Sequence, residues 1–390
     1  MPSLPPLEAV FDNGHQELRP PSGDVATFSF TGDICLIREV EERLREDEQG
    51  AVIGIRQALA ADFVVGNLET PLAAKSTLDP IRGVLNSNPD VARVLPELGF
   101  DAFTLANNHT MDCGAEGLGE TLTFLEQNNI AHFGAGENLQ SARKPLIVER
   151  NNIKIGLLGY SQPELDAAES DRAGVAPLRK QVILEDIAKL RPQVDNVVLV
   201  LHEGYEFQNY PRLDFLNLCH ELAQNGVDLI CGHHPHVMQG METVGNSIIL
   251  YSLGNFWFDM PYQHRVPQSR QSTIVHVAFD QKGPVILKLT PTVMEDDSQL
   301  RVSQGEDREN ILRHLKDISS VLQNTEEIRN QNKLSAEKVM QGILGAVYRL
   351  GENGDKAGFE KYIQHQIRRD PYLKTFCDYA ELIGGYKSTF

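Results

Sequence analysis

Six short apolar runs in this chain each end on polar side chains able to hold a metal ion, and this placement restricts the fold more than any other feature. The first runs into Gly32 and Asp33, the second into Gly66, Asn67 and Glu69, and the third into Asn107, Asn108 and His109. The fourth ends at His202 and Glu203, the fifth at Gly232-His233-His234-Pro235-His236, and the sixth at Gly254 and Asn255. The runs are short and rich in β-branched residues, as strands are, and segments of helical period separate them. Alternation of this kind predicts an α/β domain with helices covering the sheet faces. In such sheets ligands bind beyond the carboxyl ends of the strands, where loops are shaped without disturbing the core.

The spacing predicts strands over 27–30, 63–65, 102–105, 154–158, 196–201, 228–231, 247–251, 272–279 and 284–290. Helices are predicted over 39–61, 89–98, 117–128, 180–190 and 212–225. Residues 1–25, rich in Pro and without periodicity, read as an irregular leader, and residues 26–296 as the α/β domain. Beyond about residue 297 the strand signals stop. Residues 311–322, 335–350, 356–368 and 371–383 then read as amphipathic helices of a C-terminal extension spanning 297–390. That extension is expected to pack on the domain, to form a dimer surface or to stand as a small domain. The polar stretch 72–87 has the length of a loop covering an active site.

Each polar residue has a plainer reading beside the functional one. Asp33 could cap a turn, Asn107 and Asn108 could sit in a turn with positive φ, and His202 could be a satisfied core histidine. Three histidines within four positions, 233–236, abutting a buried strand, are rarely structural. Imidazole, carboxylate and amide oxygen together suit Zn, Mn, Fe or Ni better than Mg. Tyr205, Phe207, Trp257 and Phe258 flank these residues and read equally as pocket lining or as core.

Composition excludes several classes. A formal net charge of -18 argues against nucleic acid, which needs a basic face. No run reaches the ~18 apolar residues of a membrane span, and 1–21 lacks the features of a secretory signal, so a cytoplasmic protein is expected. The five cysteines lack the close pairs of a zinc ribbon or redox motif and read as buried thiols.

The strings FTGDICL, GNLETPL, LANNHTMDCG, HFGAG, LLGYS, LHEGYE, GVDLICGHHPHV and LYSLGNFWFD, in this order over residues 28–259, resemble the capsule-synthesis family named for the poly-γ-glutamate protein CapA. That family is similar to the calcineurin-like metallophosphoesterases. The resemblance implies a four-layer α/β/β/α sandwich with a site at one edge. It implies one or two divalent ions, Mn, Zn or Fe, held by Asp33, Glu69, Asn108, His202, His234 and His236. It implies His109 as proton donor to a leaving group, with Glu203 orienting His202. Asn67, Asn107, His233, Asn255 and Cys35 are further candidates. Metallophosphoesterases usually open with Asp-x-His, and here Cys35 takes the third position. Either its thiolate substitutes, or one metal loses a ligand, or it is buried and does not ligate.

The implied function is a metal-dependent hydrolase, foremost a phosphoesterase using a metal-activated hydroxide, on a small anionic or polymeric substrate. Metal-assisted cleavage of an amide or glycan linkage in a polymer such as poly-γ-glutamate is a second reading. A non-catalytic binding or assembly component of capsule synthesis is a third.

Overall fold

The computed structural model describes residues 3–74, 85–162, 166–259 and 265–352. The chain opens with helix α1 (Glu8–Asn13) and strands β1 (His15–Glu17) and β2 (Ala26–Cys35), then α2 (Glu39–Glu46), α3 (Glu48–Leu59) and β3 (Phe63–Leu68). It continues through α4 (Val94–Leu98), β4 (Ala102–Thr104), α5 (Gly114–Gln127), β5 (Ala131–Phe133), β6 (Ala135–Gly136) and α6 (Leu139–Ala142). Strands β7 (Leu146–Arg150), β8 (Ile153–Ser161) and β9 (Gly174–Val175) precede α7 (Lys180–Leu190), β10 (Asn196–His202) and α8 (Leu213–Gln224). Then come β11 (Leu229–His233), β12 (Met241–Val244), β13 (Ser247–Leu250), β14 (Asn255–Phe258), β15 (Gln271–Asp280), β16 (Gly283–Met294) and β17 (Leu300–Val302). Helices α9 (Gly305–Ser320) and α10 (Thr325–Glu352) close the described chain.

Two sheets carry the fold among the described residues. One runs β1-β16-β15-β2-β3-β4-β5, with β14 also paired to β2 and β17 to β16. The other runs β12-β13-β11-β10-β8-β7. Three apolar cores make the layering explicit. Phe28, Phe30 and Val277 of the first sheet meet Ile155, Val198 and Leu229 of the second between the sheets. Val52, Ile55, Leu95 and Leu118 from α3, α4 and α5 pack on the outer face of the first sheet around Val64 and Phe103. Ile183, Ile187, Phe215 and Leu222 from α7 and α8 cover the second around Leu199 and Ile230. This is the expected α/β/β/α sandwich. Strands β8 and β10 alternate so that odd and even positions feed different cores, as period 2 requires.

Several expectations are corrected. The leader is not irregular: Val10 and Phe11 are buried in α1, Gly14 takes a left-handed φ of 76° to end that helix, and β1 pairs with β16. One apolar pair and a three-residue edge strand leave almost no periodic signal. The helix expected over 39–61 breaks at Asp47, a residue outside the helical conformation (φ -151°, ψ 74°) whose side chain accepts the Gly50 N–H and starts α3. Strand pairing does not stop at 297, because β17 pairs with β16. The last helix begins at Thr325, ten residues ahead of the predicted 335. The helices predicted over 356–368 and 371–383, and positions 75–84 of the predicted loop, lie outside the described residues. No helix among the described residues is long and apolar enough to cross a membrane.

The leader is fastened at Asp280, fully buried at the end of β15. Its carboxylate accepts Arg19 Nη1 at 2.8 Å, the Ser22 N–H at 2.8 Å and hydroxyl at 2.9 Å, and the Lys282 N–H at 2.7 Å. Burial raises this carboxyl, but the donors from Arg19, Ser22 and Lys282 outweigh it and hold the group well below the usual range. The native carboxylate therefore binds fewer protons than the unfolded one, and its contribution is present above about pH 4 and fades as pH falls. Asp280→Asn should cost about 2–4 kcal/mol at pH 7. Urea unfolding at pH 7 and pH 3 checks it: the gap between wild type and variant must be narrower at pH 3.

Candidate metal centre

The carboxyl ends of β2, β3, β10 and β11 converge at one edge of the sandwich, and register decides which side chains meet. Asp33 of β2 lies opposite Asn67 of β3, and opposite Asn255 of β14 on its other side. That second approach needs Gly32, since a Cβ there would lie 2.0 Å from the Gly254 carbonyl oxygen. In the other sheet His202 of β10 lies opposite His233 of β11. On the other side of β11, Gly232 permits the close approach of the chain leaving β13, its Cβ position being 1.9 Å from the Tyr251 carbonyl oxygen. Beyond β11 the backbone turns sharply, with φ of 96° at His234 and 56° at His236. Left-handed conformations cost non-glycine residues of order 1–3 kcal/mol each. Here they aim both imidazoles back toward the first sheet.

The result is a buried cluster. Asp33 Oδ1 is 2.7 Å from His233 Nδ1 and accepts Asn67 Nδ2 at 2.8 Å, while Asp33 Oδ2 is 3.3 Å from His236 Nδ1. Glu69 Oε1 lies 3.5 Å from His202 Nε2 and 3.8 Å from His236 Nε2. Two sets of three potential ligands emerge, Asp33-Glu69-His236 and Glu69-His202-His234, each with its atoms within 4.8 Å of one another. Glu69 belongs to both.

Electrostatics match a site short of positive charge. Burial raises Asp33, but hydrogen bonds with His233 and His236 overcome it and its carboxyl sits well below the usual range. Burial and then the Asp33 charge push Glu69 well up. Burial, aided by His234, pushes His202 well down, toward the neutral imidazole a metal needs. Glu69 Oε1 is buried and accepts no hydrogen bond among the described residues. An orphaned carboxylate oxygen facing the imidazoles of His202 and His236 fits a divalent cation, and the cluster is consistent with divalent metal binding.

The remaining predicted residues separate by their partners. Asn108 Oδ1 lies 2.8 Å from His202 Nε2, inside the cluster. Asn67, Asn107 and Asn255 are hydrogen-bonded into its frame. Asn107 Nδ2 donates to Asn67 Oδ1 and to the Leu68 carbonyl, and its Oδ1 accepts the His109 N–H and the Thr110 hydroxyl. Asn255 Oδ1 is 2.9 Å from His236 Nδ1. His109 stands at the rim, its side chain 15% exposed, with Nδ1 2.8 Å from Asp112 Oδ2. Asp112 went unread in the sequence, although the His-x-x-Asp spacing carried the signal.

Glu203, expected to orient His202, has Oε1 3.3 Å from Arg212 Nη1, and the Arg212 guanidinium also lies over the Tyr205 ring. Cys35 is fully buried with Ile37, Leu85 and Phe258, belongs to neither three-residue set, and burial pushes its thiol well up. Trp257 is core: fully buried, with its indole N–H on the Ser298 carbonyl. Phe207 and Phe258 border the centre, their rings 5.8 Å and 4.9 Å from that of His236.

Known proteins resemble this chain. Residues 27–260 match the family described as bacterial capsule synthesis protein PGA_cap. A PGA biosynthesis protein CapA of Bacillus subtilis is 31% identical over 69% of this chain and 72% of its own length. A capsule biosynthesis protein CapA of Bacillus anthracis is 28% identical over 80% of this chain and 77% of its own. Among solved structures, a novel phosphatase from Mycoplasma pneumoniae superposes with a TM-score of 0.45 and 16% identity, covering 76% of this chain and 99% of its own. With more than half of its length matched, and the strand-end residues of both sheets inside the match, the chain belongs to the bacterial capsule synthesis protein family PGA_cap.

Proposed function

We propose that this chain is a divalent-metal-dependent hydrolase that opens a phosphoester bond, in capsule or poly-γ-glutamate metabolism. The observation that carries the reading is Glu69, common to two sets of potential ligands and left with an orphaned oxygen. Asp33, Glu69 and His236 would hold one cation, and Glu69, His202 and His234, with Asn108 beside them, a second. The nitrogen-rich donor set suits Mn, Zn or Fe. Such cations would supply charge for phosphoryl oxygens and lower the pKa of water into the neutral range.

The chain's own residues do the rest. Asn67 and His233 fix the Asp33 carboxylate, and Asn255 fixes the ring of His236. Asp112 accepts the His109 Nδ1–H, leaving Nε2 to carry a proton to the departing oxygen at the rim. Glu203 holds Arg212 at 3.3 Å beside the His202 strand end. The acidic exterior serves solubility while the cations attract an anionic substrate. The names of the Bacillus relatives support placing the substrate in capsule or poly-γ-glutamate metabolism.

Metal analysis of protein purified without chelator tests the centre. Asp33→Ala and His236→Ala should each fall below about half an equivalent of transition metal. His109→Ala should keep its metal and lose about 10²–10⁴-fold in turnover. Assays on phosphomonoesters, phosphodiesters and γ-glutamyl peptides identify the bond cleaved; turnover of the peptides with none of the phosphoesters overturns the phosphoesterase reading.

A second prediction concerns the departure from Asp-x-His. Cys35→Ala should bind the same metal equivalents as wild type and cost about 1 kcal/mol of stability, since it removes only a buried sulfur. Loss of metal in that variant would make the thiolate a ligand.

A further inference from the structure

The loop between β10 and α8, residues 203–212, is gripped from two sides. On the metal side, the Phe207 N–H donates to the Pro235 carbonyl at 2.7 Å and Gln239 Nε2 donates to the Gln208 carbonyl at 2.8 Å. Phe207 holds a left-handed φ of 61° in doing so, and its ring lies against His236. On the other side stands the C-terminal extension. Ser335 of α10 donates its hydroxyl to Gln208 Oε1 at 2.8 Å, and Asn209 Nδ2 is 3.0 Å from His314 Nε2 of α9. Asn332 of α10 accepts the Leu213 N–H at 2.7 Å and donates to the Pro211 carbonyl at 3.0 Å.

The Asn332 contact explains an oddity of α8. That helix has no side-chain cap from its own N-terminal residue, Arg212, whose guanidinium is committed to Asp214 and Glu203. A residue 119 positions away supplies the missing acceptor to the first helical N–H. Gln208 is the pivot, its carbonyl tied to Gln239 just past the turn that carries His236 and its side chain tied to α10. A bulky residue with positive φ persists only where its surroundings over-determine it.

We infer that the α9–α10 extension is a positioning element of the metal centre, with Asn332 and Ser335 holding loop 203–212 so that Phe207 walls the His236 side of the site. This rests on the metal reading above, and the two separate by experiment. His236 is held at Nδ1 by Asn255 and Asp33, and the Phe258 and Phe207 rings lie 4.9 Å and 5.8 Å from its own; releasing the loop removes the Phe207 contact. The extension lies beyond residues 27–260, so this role belongs to a part of the chain that the family match does not describe.

The test uses the full chain carrying Asn332→Ala together with Ser335→Ala, read in two ways. Hydrogen exchange on metal-free protein should quicken at least about tenfold at the amides of 205–210, 212 and 213 while β10 and β11 keep wild-type protection. Cobalt(II) added as probe should bind about tenfold more weakly, with an altered visible spectrum. Ser335→Thr with Asn332 intact, which keeps the hydroxyl, should restore both signals. If the double variant does not fold, Ser335→Ala alone reads the same two signals, with smaller shifts expected. Unchanged exchange at 205–213 overturns the inference, as does quickened exchange with wild-type cobalt affinity and spectrum. Should wild type itself take no cobalt, the metal reading falls, and the exchange result alone decides whether the extension holds the loop.

Discussion

Two carboxylates, Asp33 and Glu69, are fully buried with oxygens within 4.8 Å of each other, and most of the surrounding architecture answers that fact. At an effective dielectric near 20, two like charges at that separation repel by roughly 3 kcal/mol, before the cost of taking each out of water. The protein relieves Asp33 with Asn67, His233 and His236 and leaves Glu69 short of donors. The asymmetry shows in their opposite displacements, Asp33 well down and Glu69 well up. A cation between Glu69 and the imidazoles would resolve what hydrogen bonds leave unresolved. A fold selected for stability alone has little reason to keep such a pair dry.

The two sheets make this pair possible by dividing the labour. The first supplies carboxylates and amides, the second supplies imidazoles, and they brace each other where Asp33 meets His233 and Asn255 meets His236. Asn107 holds Asn67, and Asn67 holds Asp33, so three neighbouring strand ends form one rigid relay. Across the gap, His202 and His233 are fixed by parallel pairing, while His234 and His236 depend on strained turns rather than a ladder. The 234–236 turn rests instead on contacts from Phe207 and Asn255.

Much of this was legible in the sequence because strand ends carry strong local signals. GHHPH after a buried apolar run, and glycine before four of the six polar groups, needed no tertiary information. The partners each residue finds needed it. Asn67 meets Asp33 and stands 3.5 Å from His202 Nδ1, whereas Asn107 reaches Asn67 and Asn255 reaches His236, and only register sets these amides apart. Glu203 follows His202 in the chain, but its Oε1 lies 3.3 Å from Arg212, a partner that adjacency does not show. The break at Asp47 was hidden because helical period continues on both sides of it. The leader's helix and strand were hidden because their stability comes from contact with β16 and α9 and scarcely at all from local propensity.

Strand β2 shows how sharply function and framework can divide within one element. Its first half, Ala26 to Phe30, pairs with β15, antiparallel and beyond the matched residues 27–260. Its second half, Asp33 to Cys35, pairs with β14, parallel and inside that match. The exchange of partners occurs at Gly32, where the close approach of Gly254 admits no side chain. A strand that served only the core would gain by keeping one partner along its whole length. Switching there releases Asp33 from a plain ladder and sets it between Asn67 and Asn255, where amides can fix a carboxylate and an imidazole together. The framework half needs only apolar alternation and tolerates many sequences, whereas the site half needs particular residues at particular positions. Recognisable sequence is thus expected to concentrate at strand ends even though the sheet extends well past them.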